Sequence, residues 1–188
     1  MTGQPNGITA IILAGGEATR MGGEDKGLLK FRGRRLIEHV IDRISAQVDA
    51  IVISANRNLA VYSAFGFPVV SDASAEFLGP LAGLSAAMEQ ISSPWALSVA
   101  CDLPSLPADL VPRLLAGIGD NEAAIAATAD GRQHVVALYR IEVRQKLHSY
   151  LAGGGRKVAD WQASLAHRVV DFGDPTAFIN INTPADLA

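Results

Sequence analysis

Short apolar runs with almost no polar interruption constrain this chain more than any other feature. Residues 8–13 (I-T-A-I-I-L), 50–55 (A-I-V-I-S-A) and 95–101 (W-A-L-S-V-A-C) are far shorter than the roughly 20 residues of a membrane span, and they lack the alternation of a half-exposed sheet. Strands of this kind are covered on both faces, as in a parallel sheet between helices. Helical patterns separate them. Leu36, Ile37, Val40, Ile41, Ile44 and Val48 recur at helical spacing, and Leu81, Leu84, Ala87, Met88 and Ile91 mark a second helix face. Short helices at 59–65 and 109–117 and a strand at 68–70 complete the alternation. The expected fold is α/β: three layers, a Rossmann-like mostly parallel sheet with helices on both faces and right-handed crossovers.

The second half is less regular. Strands are expected at 123–128, 135–139 and 168–172, and a helix at 143–151 is closed by the flexible break Gly153-Gly154-Gly155. Ile179-Asn180-Ile181-Asn182 alternates, which would put both Asn side chains on one face of an extended segment. Thr183 and Pro184 have the chemistry to open a last helix. No repeat or long linker divides the chain, so one domain over 1–188 is expected, with a nucleotide-binding half (8–117) and an acceptor half (118–188). At 188 residues such a domain buries about 70% of the surface exposed when unfolded and needs no staple.

Charge and cysteine content narrow the function. A net charge of −3, with no basic stretch longer than Arg34-Arg35, argues against affinity built on nucleic-acid phosphates and leaves a mononucleotide open. The single cysteine, Cys101, precludes an intramolecular disulfide or a Cys-based zinc cluster, as expected of the cytoplasm. Residues 1–7 lack the charged and apolar regions of a signal peptide, and no membrane association is expected.

The first strand runs into residues 13–26, L-A-G-G-E-A-T-R-M-G-G-E-D-K, with four glycines and two cations, Arg20 and Lys26. Glycines let backbone N–H groups approach a ligand closely, and cations beside such amides offset phosphate charge. A Walker loop is excluded, because Lys26 precedes Gly27 rather than Ser or Thr. The dinucleotide fingerprint is excluded as well, since the glycines fall as Gly15-Gly16 and Gly22-Gly23. Bare glycines would also suit an ordinary strand-to-helix turn; the two cations tip the reading toward a nucleotide phosphate.

Asp72 and Asp102 each follow an apolar strand, and ligands of such sheets sit outside the strands' carboxyl ends. Magnesium prefers one or two carboxylates plus phosphate oxygens and water, which makes Asp102 the first candidate as its ligand; capping of the following turn is the other use for this residue. Cys101 has no cationic sequence neighbour and reads as a core residue. His134 could face a substrate but has no Ser or Cys partner for a triad. His39, Trp95 and Trp161 read as packing residues. Asn180 and Asn182 could be satisfied edge amides or partners for a pterin-like edge.

Taken together, L-A-G-G-x-x-x-R-M-G at 13–22 with Lys26, S-A-N-R at 54–57, S-D at 71–72, G-P-L-A-G at 79–83, C-D-L-P at 101–104 and N-I-N-T-P at 180–184 resemble the molybdenum cofactor guanylyltransferases of the nucleotidyltransferase superfamily. That resemblance, over residues 8–187, implies transfer of GMP from GTP to the phosphate of molybdopterin, with magnesium as cofactor. It implies that Leu13, Ala14 and Gly15 line the guanine nucleotide through their backbone and that Arg20 and Lys26 steady the phosphates. Asp72 would contact the nucleoside, Asp102 would hold the metal, and Asn180 and Asn182 would meet the pterin. Ser54 stands where the family often has Asn, so its reach to the base is shorter. Gly15-Gly16, where related cytidylyltransferases carry L-A-A-G, favours guanine. Implied partners are GTP and molybdopterin as substrates, with transient contact to molybdenum-insertion proteins or recipient apo-enzymes, and a monomeric state.

Alternatives remain at this level: CTP as donor or another phosphorylated acceptor such as a sugar phosphate, an oxidoreductase on a dinucleotide sheet, and a non-catalytic nucleotide sensor.

Overall fold

A computed structural model describes residues 7–15, 25–72, 79–181 and 186. Strand β1 (Ile8–Leu13) is followed by a 3-10 turn (Lys26–Leu28), a hairpin of β2 (Lys30–Phe31) and β3 (Arg34–Arg35), and helix α1 (Leu36–Ile44). Arg32 and Gly33 hold φ of 49° and 80° at the hairpin tip, the left-handed pair that a tight two-residue turn requires. Then come β4 (Ala50–Ser54), α2 (Leu59–Ser63), β5 (Val69–Val70), α3 (Pro80–Gln90), β6 (Trp95–Ala100) and α4 (Leu110–Ile118). The second half holds β7 (Ala123–Thr128), β8 (Gly131–Arg140), α5 (Arg144–Ala152), α6 (Val158–Ala163) and β9 (His167–Asp171).

Among the described residues the main sheet has seven strands in the order β5-β4-β1-β6-β8-β7-β9. All neighbours run parallel except the pairs made by β8, which is antiparallel to both β6 and β7. The short turn from Thr128 to Gly131 forces that reversal, because a parallel return needs a long crossover. Strands from both sides of residue 117 share this sheet.

Two cores flank it. One face carries Ile37, Val40 and Ile44 of α1, Tyr62 of α2 and Leu110, Leu114 and Ile118 of α4. The other carries Leu81, Leu84 and Met88 of α3, Leu147 of α5 and Trp161 of α6. The α1 side chains Ile37, Val40 and Ile44 are fully buried, each contributing roughly 1.5–3 kcal/mol relative to exposure. The three-layer α/β expectation is met.

Differences from the sequence reading are local. Strand β8 begins at Gly131, four residues before the apolar run at 135–139, and α6 follows the triple glycine where no element was expected. The alternating segment does not lie as an amphipathic strand. Ile179 is 53% exposed while Ile181 is buried, and a 3-10 turn (Pro175–Phe178) precedes them. Asn182, Thr183 and Pro184 lie outside the described residues.

Candidate functional site

Register builds the site. Leu13 pairs with Ser54 on one side and Ala100 on the other, and Ser54 pairs with Val70, so four parallel strands end at the same level. The ladder continues one residue further: Ala14 N donates to Ser54 O (2.8 Å), Cys101 N to Leu13 O (3.1 Å) and Ala55 N to Val70 O (2.9 Å). Consequently Gly15, Asn56, Asp72 and Asp102 leave the sheet at one rim, although up to 87 positions separate them in the sequence (15 to 102).

At one side of the rim Asn56 and Asp72 form a reciprocal pair. Asn56 Nδ2 donates to Asp72 Oδ2 (2.9 Å), and Asp72 N donates to Asn56 Oδ1 (3.1 Å). A Cβ placed on Gly15 would stand 3.7 Å from Asn56 Nδ2, so this carboxamide lies against the glycine backbone. Sequence reading named Ser54 as the polar contact of this segment. Ser54 is 3% exposed, and its hydroxyl faces α3, 2.3 Å from where a Cβ on Gly83 would stand. Asn56 is a rim residue that sequence reading passed over, because an Asn after a strand reads as a turn former; its two-residue offset from Ser54 was the available signal.

At the other side Lys26 Nζ donates to Asp102 Oδ2 in an ion pair that joins the first loop to the end of β6. Asp102 is 7% exposed, and among the described residues its Oδ1 is buried with no hydrogen-bond partner. A buried carboxylate oxygen in that condition is costly unless a further group meets it. One or two carboxylates suffice for magnesium when phosphate oxygens and water complete its shell. The orphaned oxygen fits such an ion; no cluster of three or more His, Cys, Asp or Glu side chains able to hold a metal occurs among the described residues.

Ile181 N donates to Asp102 O (3.1 Å), which ties the C-terminal segment to the same rim, with Asn180 exposed next to it in sequence. Arg20 and Asn182 lie outside the described residues. Lys26, Asp102, Asp72, Asn180 and the backbone of Leu13, Ala14 and Gly15 are brought together.

The remaining candidates are structural. Cys101 is buried, and burial first, then the nearby Asp102 and Asp25 carboxylates, push its thiol well above the usual range, so it is no nucleophile. The ring of His39 shares a hydrogen bond with Phe31 O (2.9 Å). His134 Nδ1 meets Gln162 Oε1 (2.7 Å), and Gln162, fully buried, also donates to His134 O (2.9 Å) and to the Tyr139 hydroxyl (2.7 Å). Trp161 packs on Tyr139, and Arg140 lies over Trp95. No helix among the described residues is long and apolar enough to cross a membrane.

Comparison with known proteins identifies the family. Residues 10–168 match the family described as the MobA-like NTP transferase domain. A molybdenum cofactor guanylyltransferase of Shewanella baltica strain OS155 is 50% identical over 180 residues, covering 94% of this chain and 92% of the relative. Among solved structures, the molybdopterin-guanine dinucleotide biosynthesis protein A of Archaeoglobus fulgidus superposes with a TM-score of 0.77 at 23% identity, covering 95% of this chain and 94% of that one. A 4-diphosphocytidyl-2C-methyl-D-erythritol synthase of Anaerococcus prevotii gives 0.76 at 17% identity, covering 96% and 92%. The structures speak for the fold. On the extent of the family match and of the 50% identity, the chain belongs to the MobA-like NTP transferase family.

Proposed function

We propose that the protein transfers GMP from GTP to the phosphate of molybdopterin, giving the guanine dinucleotide cofactor and pyrophosphate. The guanylyltransferase relative at 50% identity supports the reaction. The observation that carries the chemistry is the Lys26–Asp102 ion pair at the carboxyl rim, beside the Leu13–Gly15 backbone, with one Asp102 oxygen unpartnered among the described residues.

A phosphate oxygen of the pterin attacks the α-phosphorus of GTP in line. The new P–O bond forms as the bond to the α–β bridging oxygen breaks, and that oxygen leaves with its electron pair on pyrophosphate. Such a transfer asks the protein for positioning and charge stabilisation more than for covalent chemistry. In this reading the backbone of Leu13, Ala14 and Gly15 lines the nucleotide. Asn56 and Asp72, already paired, present donor and acceptor groups to the nucleoside, while Ser54 serves through its carbonyl, which fixes Ala14. Lys26 and Arg20 steady the phosphates, and Asn180 and Asn182 meet the pterin. Asp102 would hold magnesium through its unpartnered oxygen. When bound, that ion would offset charge developing on the phosphate oxygens.

The test is pyrophosphate release from GTP and molybdopterin by Asp102→Asn and Lys26→Ala, each checked for an unchanged fold by circular dichroism. Losses of about 10²-fold or more in kcat are expected, the scale of removing one preorganised charge-stabilising group. Wild-type turnover in both variants would refute the site.

A further inference from the structure

We propose that Tyr62, acting through Asp25, is a positioning residue for Lys26; the inference rests on the reading of Lys26 as a phosphate-steadying group. Asp25 immediately precedes Lys26 and is only 8% exposed. Tyr62 Oη donates to its Oδ1 (2.6 Å), and Asn58 Nδ2 donates to its Oδ2 (3.3 Å). On the other side of the lysine, a Cβ on Gly27 would stand 2.7 Å from Tyr62 Oη and 3.3 Å from Cys101 Sγ. One phenol hydroxyl therefore fixes the backbone on both sides of Lys26. The turn between is closed by Leu28 N donating to Asp25 O (2.9 Å) and Leu29 N to Lys26 O (3.2 Å).

Simple packing does not account for this arrangement. A carboxylate is costly to bury and would be replaced without loss by an apolar side chain if filling space were its purpose. The Tyr62 ring is fully buried on the α1/α4 face of the sheet, so its hydroxyl is a fixed point of the core. Burial, and then the surrounding groups including the hydrogen-bonded Asp25, hold the phenol well above its ordinary range, so it remains an O–H donor. Asn58 caps α2 and Tyr62 lies within it, and the helix starts three residues after Asn56, the partner of Asp72. A single short segment thus carries the nucleoside-side pair and the anchor of the phosphate-side lysine.

A kinetic double-mutant cycle separates positioning from general stability. Tyr62→Phe keeps the ring and removes the donor; kcat for pyrophosphate release is expected to fall about tenfold, while KM for GTP changes by less than about twofold, because misplacement of a reacting group acts on the transition state. Asn58→Gly keeps the left-handed backbone, φ 51°, and removes the weaker bond; a loss of about threefold is expected, as Gly adopts that conformation freely. In a Lys26→Ala background neither substitution should lower kcat further. Wild-type kcat in Tyr62→Phe, or in Asn58→Gly should Tyr62→Phe fail to fold, overturns the proposal. So does a loss that persists undiminished without Lys26. Full activity of Lys26→Ala alone would overturn instead the assignment of Lys26 on which the proposal rests.

Discussion

Helix α3 approaches the sheet where it has no side chain to spare. A Cβ on Gly83 would stand 2.3 Å from Ser54 Oγ, 3.4 Å from Ser54 Cβ and 3.8 Å from Leu13 Cδ2. Carbon contacts settle at about 3.5–4.0 Å, so Gly83→Ala demands either rotation of a buried hydroxyl or a helix shift of more than about 1 Å. Overpacking of this kind costs typically 1–3 kcal/mol. Taking about 2 kcal/mol, a chain of this size loses about 4–8 °C in Tm. Thermal melts of Gly83→Ala, Ser54→Ala and the double variant supply the test. The double variant should recover most of the loss, since the nearest remaining atom is Ser54 Cβ at 3.4 Å. KM for GTP should follow the same pattern, because Leu13 and Ser54 hold the start of the loop proposed to line the nucleotide. A Gly83→Ala protein melting at the wild-type temperature would refute the reasoning. A double variant destabilised by the sum of the singles would do the same.

Gln162→Leu should remove the amide that the His134 ring and the Tyr139 hydroxyl share; each lost intramolecular hydrogen bond costs about 0.5–1.5 kcal/mol, so Tm falls while KM for GTP stays constant. Wild-type Tm would contradict the network's role. The Asp49 carboxylate accepts from Ile8 N (2.8 Å) and Gly7 N (2.9 Å), and these bonds hold it below the usual carboxylate range. A group whose pKa is depressed by folding stabilises above its unfolded value of about 3.9 and loses that contribution as pH falls through the folded value. Asn at position 49 should therefore lower Tm at neutral pH, with the gap to wild type closing as the pH is taken below about 4; a gap constant with pH would count against it.

The sheet was legible because its strands are continuous apolar runs, and the helices between them because their apolar positions recur with helical spacing. Strand β8 was read short because Gly131 has no side chain, Arg132, Gln133 and His134 are polar, and these residues extend past the core toward the rim. Helix α6 was missed because V-A-D-W-Q-A is brief and follows three glycines, where pattern gives way to a turn signal. Ile179 misled because alternation implies a buried face, whereas the preceding turn sends that residue outward. Lys26 and Asp102 were each visible as candidates, but their ion pair spans 76 positions and exists only through the register of β1 with β6. The Tyr62–Asp25 bond is of the same kind, since nothing local marks a core tyrosine as the partner of a loop carboxylate.

The central claim is guanylyl transfer at this rim, and pyrophosphate release measured with molybdopterin, magnesium and each of GTP, CTP, ATP and UTP in turn tests it most directly. The account predicts release with GTP at a kcat/KM at least about tenfold above the others, a preference of about 1.4 kcal/mol in transition-state binding. Release that is equal with all four nucleotides, or greatest with CTP, would contradict it.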